Sequence, residues 1–187
     1  MKIGVLALQG AFKEHIDMLE SLGIQCYELR KKEDLENDFD GLVLPGGEST
    51  VQGRLLKELG MLDILRSRIK EGMPVLATCA GLILLAEHLS NDQNKYFATF
   101  PITVRRNAYG RQLGSFYTEE EFKGIGKVPM KFIRAPYIEK VANDVEVMAK
   151  VGEKIIAAKF NNQLALAFHP ELCKDTRIHE LFIKLCS

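Results

Sequence analysis

Charge of one sign is what this sequence most plainly lacks: 25 lysines and arginines are matched by 25 aspartates and glutamates. Without a surplus, no net field draws the chain to nucleic acid or to an anionic membrane. Long apolar runs are missing too, none reaching the ~18 residues of a membrane helix. Cysteine is scarce, and Cys26, Cys79, Cys173 and Cys186 show neither C-x-x-C spacing nor a dense framework. A disulfide scaffold is therefore excluded, and free thiols in a reducing cytoplasm are expected. Met1-Lys2-Ile3-Gly4-Val5 runs straight into an apolar pattern without the parts of a signal peptide, which fits a cytoplasmic location. No P-loop or G-x-G-x-x-G occurs, and His179-Glu180 lacks the second histidine of H-E-x-x-H, so neither a cofactor nor a metal is expected. Small neutral or zwitterionic ligands remain. At 187 residues the expectation is one domain, 1–187.

What is present is alternation. Short apolar runs at 2–8, 25–29, 41–44 and 75–77 read as strands, and helical spacing appears over 12–22, 51–59, 61–69 and 80–89. Strands alternating with helices predict an α/β fold: a three-layer, doubly wound, mostly parallel sheet of the flavodoxin or Rossmann kind. The second half reads differently, with strands expected at 102–104, 112–116, 130–133, 145–151, 155–160 and 164–168 and a closing helix over 176–185. An antiparallel extension is the expectation there, with an exposed loop at 90–96 and a solvated acidic turn at Glu119-Glu120-Glu121. In such folds ligands bind beyond the carboxyl ends of the strands. Gly10, the Gly46-Gly47 turn and Cys79 all fall at those ends.

Cys79 sits where the apolar run Val75-Leu76-Ala77 meets a helix, flanked by the small residues Ala80 and Gly81. A sharp strand-to-helix elbow needs such neighbours and pushes its central side chain out of the sheet, while the helix start favours thiolate over thiol. Taken alone, a buried structural cysteine is the commoner case, and Cys26, Cys173 and Cys186 are read that way. His169-Pro170-Glu171 supplies what Cys79 needs. A residue before proline is pushed towards extended backbone, where residues two apart share a face, so Glu171 can orient His169 while the other ring nitrogen meets the thiol. His15, His88 and His179 lie in helical stretches without matching partners and read as surface residues. Gly46-Gly47 can aim backbone N–H groups at a developing oxyanion, or can simply be a turn with Ser49 or Thr50 as N-cap. Arg105, Arg106, Asn107 and Arg134 are candidate carboxylate anchors or ordinary surface residues.

Assembled, these segments resemble the class I glutamine amidotransferases. The match is closest to those serving as glutaminase subunits of ribose-5-phosphate-dependent pyridoxal 5′-phosphate synthases. The resemblance is carried by Leu8-Gln9-Gly10-Ala11, Pro45-Gly46-Gly47-Glu48-Ser49-Thr50, Thr78-Cys79-Ala80-Gly81 with the apolar helix after it, Arg106-Asn107, Tyr109-Gly110-Arg111-Gln112, Phe132-Ile133-Arg134-Ala135-Pro136 and His169-Pro170-Glu171-Leu172. It implies Cys79 as nucleophile, His169 as general base and acid, and Glu171 as its orienter. It further implies a glutamine site of Gly46, Gly47, Glu48, Arg106, Ile133 and Arg134. Gln9, Gly10, Gly47 and Ala80 are candidates for the oxyanion hole or the interface. The activity implied is hydrolysis of L-glutamine to glutamate and ammonia through a glutamyl thioester. The implied partner is a (β/α)₈-barrel synthase chain in a complex of twelve plus twelve subunits. Alternatives are the glutaminase of another amidotransferase, such as imidazole glycerol phosphate synthase, and a non-catalytic binding subunit. Ala77 departs from the resemblance, standing where the common elbow has glycine.

Overall fold

The computed structural model describes residues 1–107 and 115–187. Tyr109-Gly110-Arg111-Gln112, with the start of the strand expected at 112–116, lies outside the described residues. The first half runs β1 (Lys2–Leu6), α1 (Phe12–Ser21), β2 (Gln25–Leu29), β3 (Gly41–Leu44), α2 (Ser49–Glu58), α3 (Leu62–Lys70), β4 (Val75–Thr78) and α4 (Ala80–Leu85). The second half adds β5 (Ala86–Leu89), β6 (Phe100–Arg105), β7 (Ser115–Phe122), β8 (Gly126–Ile133), β9 (Tyr137–Val141), β10 (Glu146–Val151), β11 (Lys154–Phe160), β12 (Gln163–Leu166) and α5 (Arg177–Leu185).

Strands β2, β1, β3, β4 and β12 stand side by side and all pair in parallel. Every residue of β3, β4 and β12 is buried. A strand covered on both faces favours apolar side chains along its length, which is why these segments are apolar apart from Thr78 and Gln163 at strand ends, each of which is hydrogen-bonded. Beyond β12 the sheet turns antiparallel through β11, β9 and β6, with β10 on β11 and β5 at the far edge. β7 and β8 form a separate hairpin in full register. No helix among the described residues is long and apolar enough to cross a membrane.

Three local expectations are corrected. The helix expected over 80–89 stops at Leu85, and 86–89 becomes β5. All six residues of α4 are buried, so continuing it would carry Glu87 and His88 inward, whereas in the edge strand both face solvent. The acidic run at 119–121 is the middle of β7 rather than a turn: Ser115, Tyr117, Glu119 and Glu121 are exposed while Phe122 turns inward. Carboxylates on the wet face leave the backbone ladder intact. The loop at 90–96 ends on a buried residue, Tyr96, whose ring fills the space left by Gly53.

β3 and α4 are in contact because Gly81 has no side chain. A Cβ there would stand 2.1 Å from the Leu44 carbonyl oxygen. Replacing a helical glycine by alanine ordinarily stabilises by up to ~1 kcal/mol. Gly81→Ala is expected to do the opposite, costing about 1–3 kcal/mol by overpacking, read as a lower urea midpoint. An unchanged or raised midpoint would show that the two elements can separate freely.

Candidate active site

Cys79 occupies the joint between β4 and α4 with φ 48° and ψ −97°, a backbone conformation L side chains rarely adopt. Such strain, of the order of ~1–3 kcal/mol, persists only where the surroundings over-determine it. Here the Cys79 N–H donates to the Leu166 carbonyl at 2.8 Å, and Gly81 lets the helix close onto β3. Ala77 fits because the chain turns after it. It is still inside β4, flanked by Leu44 of β3 and the small Ala165 of β12. The Cys79 thiol lies 3.8 Å from the Ile133 carbonyl oxygen.

His169 Nδ1 and Glu171 Oε1 are 2.6 Å apart, so the pairing expected from their spacing is present. The route to it differs. His169 leaves β12 at φ −111° and ψ 85°, and Pro170–Leu172 then forms a 3-10 turn that curls Glu171 back under the ring. Proline favours the first turn of a helix as readily as it restricts its predecessor, and both preferences operate here. Burial acts to lower the His169 pKa, but hydrogen bonds to Cys79 and Glu171, with their charges, outweigh it and raise it to about 10. Burial also pushes Glu171 towards the neutral acid, and the pull of His15 and His169 instead holds its carboxyl below the ordinary value. His15 is itself driven down by burial, so His169 is the charged partner at neutral pH. Burial pushes the Cys26 thiol up to about 11, Cys186 up to about 12 and Cys173 upward.

The turns at Gln9-Gly10 and Gly46-Gly47 stack against each other and against His169. A Cβ on Gly46 would lie 2.2 Å from His169 Cε1, and one on Gly10 1.9 Å from the Gly46 carbonyl oxygen. The Gly46 N–H donates to Thr78 Oγ1 at 3.0 Å, so it is not free for an oxyanion. Gln9 Oε1 accepts from the Glu48 N–H at 2.7 Å. Glu48, rather than Ser49 or Thr50, caps α2, accepting from the Thr50 and Val51 N–H groups. A carboxylate serves there because it also meets a cation, Arg106, at 3.2 Å.

Gly46, Gly47, Glu48, Arg106, Ile133 and Arg134 line one cleft of about 550 Å³ with Gln9, Gly10, Asn107, Cys79 and His169. Ala80 is buried at the first position of α4, and the Glu171 side chain lies fully buried behind the wall. Arg105 takes no part, since its guanidinium faces Glu139 of β9 at 3.5 Å. Arg105 is the last residue of β6, and Arg106 lies just past it, where the chain has left the strand and lines the cleft. Arg106 is held by Asp92, Glu48 and the Thr50 hydroxyl. Arg134 is exposed at φ 46° and forms no ion pair among the described residues. A groove of about 700 Å³ on the outer face of the β7–β8 hairpin, bordered by Tyr117, Lys131 and Arg177, contains neither Cys79 nor His169.

Two histidines read as surface residues are fully buried. His15 Nδ1 meets His179 Nε2 at 2.9 Å, and His15 Nε2 lies 3.1 Å from Thr78 Oγ1 and 3.3 Å from Glu171 Oε2. The signal was their place on the apolar stripes: His15 stands one turn before Leu19 in α1, and His179 one turn before Phe182 in α5. His88 is exposed, as expected.

A doubly wound α/β sheet with a nucleophile elbow at the carboxyl end of a central strand is the framework of the class I glutamine amidotransferases. A solved structure described as a glutamine amidotransferase superposes with a TM-score of 0.93 at 42% identity, covering 98% of each chain. The structure of PurLQS from Thermotoga maritima shares the fold at 13% identity, with a TM-score of 0.76. The chain belongs to the SNO glutamine amidotransferase family, whose model matches residues 5–187. Among curated relatives, the pyridoxal 5′-phosphate synthase subunit PdxT of Desulfitobacterium hafniense (strain DSM 10664 / DCB-2) is 62% identical, over 98% of this chain and 92% of that protein. PdxT of Streptococcus pneumoniae (strain CGSP14) is 52% identical over all of this chain and 97% of its own length.

A raised His169 pKa has a defined sign. The charged ring adds stability in full below the ordinary 6.5, and that contribution is lost as pH rises through about 10. An NMR titration of the His169 ring is expected to show a midpoint near 10 that falls in Cys79→Ala, which removes one of the two partners raising it. A wild-type midpoint at or below 6.5 would mean that burial dominates and that no charged pair exists.

Proposed function

We propose that residues 1–187 act as one glutaminase domain that releases ammonia from L-glutamine for a pyridoxal 5′-phosphate synthase. The observation that carries this reading is Cys79, on its strained elbow, sharing a cleft with a His169 that is bonded to buried Glu171 at 2.6 Å. Glutamine's side-chain carboxamide would enter with its carbonyl carbon against Cys79. The α-carboxylate needs a cation. Arg134 suits it, being exposed and free of ion pairs among the described residues, whereas Arg106 is already neutralised and shapes the wall through Glu48.

In this reading the Cys79 thiolate attacks the carboxamide carbon and the oxyanion is met by backbone donors. Gly46 N–H is engaged with Thr78, which leaves Gly47 and the first N–H of α4, on Ala80, as donors. His169 gives its proton to the departing nitrogen, the C–N bond breaks, and ammonia leaves a γ-glutamyl thioester on Cys79. Neutral His169 then takes a proton from water. The hydroxide attacks the thioester, the C–S bond breaks and glutamate is freed.

The curated relatives are named as subunits, so the ammonia would be consumed on another chain. We assign that role to a (β/α)₈-barrel synthase in a cytoplasmic complex of twelve plus twelve subunits. It would contact the Gln9-Gly10 end of the cleft. Docking there would align the Gly47 donor, because Gln9 Oε1 already holds the next residue, Glu48, by its N–H. The high identity to PdxT chains supports this reading over the glutaminase of imidazole glycerol phosphate synthase.

The test is glutamate release from glutamine with and without the synthase chain. Turnover is expected to rise on adding it, and equal rates would count against activation by docking. Cys79→Ala should lower kcat by at least about 10⁴-fold with the fold intact, the scale on which losing a nucleophile acts. Retained turnover in that variant would sink the assignment.

A further inference from the structure

Behind Glu171, on the side away from His169, lies a buried polar cluster that the triad chemistry leaves without a role. Glu171 Oε1 is bonded to His169, but Oε2 is equally buried and finds no well-aligned hydrogen bond. The nearest basic group to it is His15 Nε2, at 3.3 Å. His15 comes from α1, His179 from α5 and Thr78 from the last position of β4, and the latter two both bond the His15 ring, which alone of the three reaches the carboxylate oxygen. An unpaired carboxylate oxygen in a closed interior is costly, which makes the imidazole beside it significant.

The proton positions follow from elementary electrostatics. His15 Nε2 is hydrogen-bonded to the Thr78 hydroxyl at 3.1 Å and has the Glu171 carboxylate beside it at 3.3 Å, where a nitrogen lone pair would be repelled by the anion, so Nε2 carries the hydrogen. Nδ1 must then accept, and the donor is His179 Nε2–H at 2.9 Å. His179 Nδ1 is left with a bare lone pair, and it is the atom that lacks a partner. An orphaned acceptor is the cheaper of the two possible orphans. Burial keeps both rings neutral, His179 being lowered to about 3.

We propose that His15, held in its Nε2–H tautomer by His179, is a positioning residue that anchors Glu171 through Oε2 so that Oε1 stays on His169. This rests on the glutaminase reading for its effect on turnover, though not for the geometry. Glu171 sits on a three-residue 3-10 turn, too short to fix a carboxylate alone. His15 makes the carboxylate a two-point fixture, His169 on one oxygen and His15 on the other. Thr78 ties the same cluster to the Gly46 N–H, whose turn packs on the His169 ring.

The test compares His15→Leu, which keeps volume and loses the donor, with His15→Gln, whose amide nitrogen can reach where Nε2 stood. Two readouts are taken: glutamine turnover in the presence of the synthase chain, and the far-downfield proton resonance of the His169–Glu171 hydrogen bond in the chain itself. His15→Leu is expected to lower kcat about 10- to 100-fold, the range typical of groups that orient a functional histidine, with KM for glutamine little changed. The resonance should disappear or move upfield, and His15→Gln should restore most of both. Equal damage in the two variants, or an unmoved resonance in His15→Leu, would overturn the proposal. Should His15→Leu fail to fold, His179→Leu keeps His15 but removes the donor to its Nδ1. There the resonance should broaden or shift, and an unaltered one would overturn the proposal. A wild-type chain that hydrolyses no glutamine would defeat the glutaminase reading alone, since the resonance arm does not depend on activity.

Discussion

The site depends on one constraint, the close approach of backbone segments at the carboxyl ends of the central strands. Three missing side chains permit it: Gly10 against the Gly46 carbonyl, Gly46 against the His169 ring, and Gly81 against the Leu44 carbonyl. A methyl group at any of them would need space already occupied by backbone or by the His169 imidazole. Because the parallel sheet holds β1, β3, β4 and β12 in fixed register, the loops beyond them cannot drift apart to make room. The strained backbone at Cys79 is stable for the same reason: strand on one side, packed helix on the other, and Leu166 holding its N–H.

Burial would by itself neutralise both His169 and Glu171. What keeps them charged is that each is the other's nearest partner, with the cysteine on one side and His15 on the far side. A buried ion pair is favourable only when its remaining lone pairs and protons are met. The structure arranges the groups in series, from Cys79 through His169 and Glu171 to His15 and His179. Two atoms of the row are left without a hydrogen-bond partner among the described residues, Glu171 Oε2 in its middle, with only His15 Nε2 at 3.3 Å, and His179 Nδ1 at its far end.

What the sequence makes legible is whatever one segment can state alone. The parallel half is readable because each buried strand is a short, largely apolar run, and the elbow because the small residues around the cysteine at a strand end are joined by a His-Pro-Glu segment that supplies its partners. His169 and Glu171 are recognisable as a pair from adjacency, though the 3-10 turn that joins them is not, since Pro170 suits both an extended predecessor and a helical start. β5 is illegible because 80–89 is apolar enough to pass as one helix, and only the sheet edge decides that residues 86–89 extend. The acidic run of β7 misleads because charge alone does not say whether backbone pairs. His15 and His179 escape for a different reason: a polar residue on an apolar stripe is legible only when its partner is known, and these partners lie 63 and 164 residues apart in sequence.

The two arginines of the cleft show how neighbouring positions with the same chemistry are given different work. Arg106 is bound to Asn91 through backbone and to the adjoining Asp92 by its guanidinium, which also reaches Glu48 and the Thr50 hydroxyl at the start of α2. Two carboxylates around one guanidinium leave it little attraction for a third, so its contribution is to fix Glu48, and with it the start of α2 and the Gly46-Gly47 turn. Arg134, one residue beyond the Ile133 carbonyl that faces the Cys79 thiol, has no such obligations among the described residues. Its positive φ turns the chain out of β8 beside the cleft. A ligand carboxylate bound there would sit over the same stretch of backbone that faces the Cys79 thiol, so ligand length from carboxylate to the atom nearest that thiol would be measured from the end of β8 against a fixed elbow.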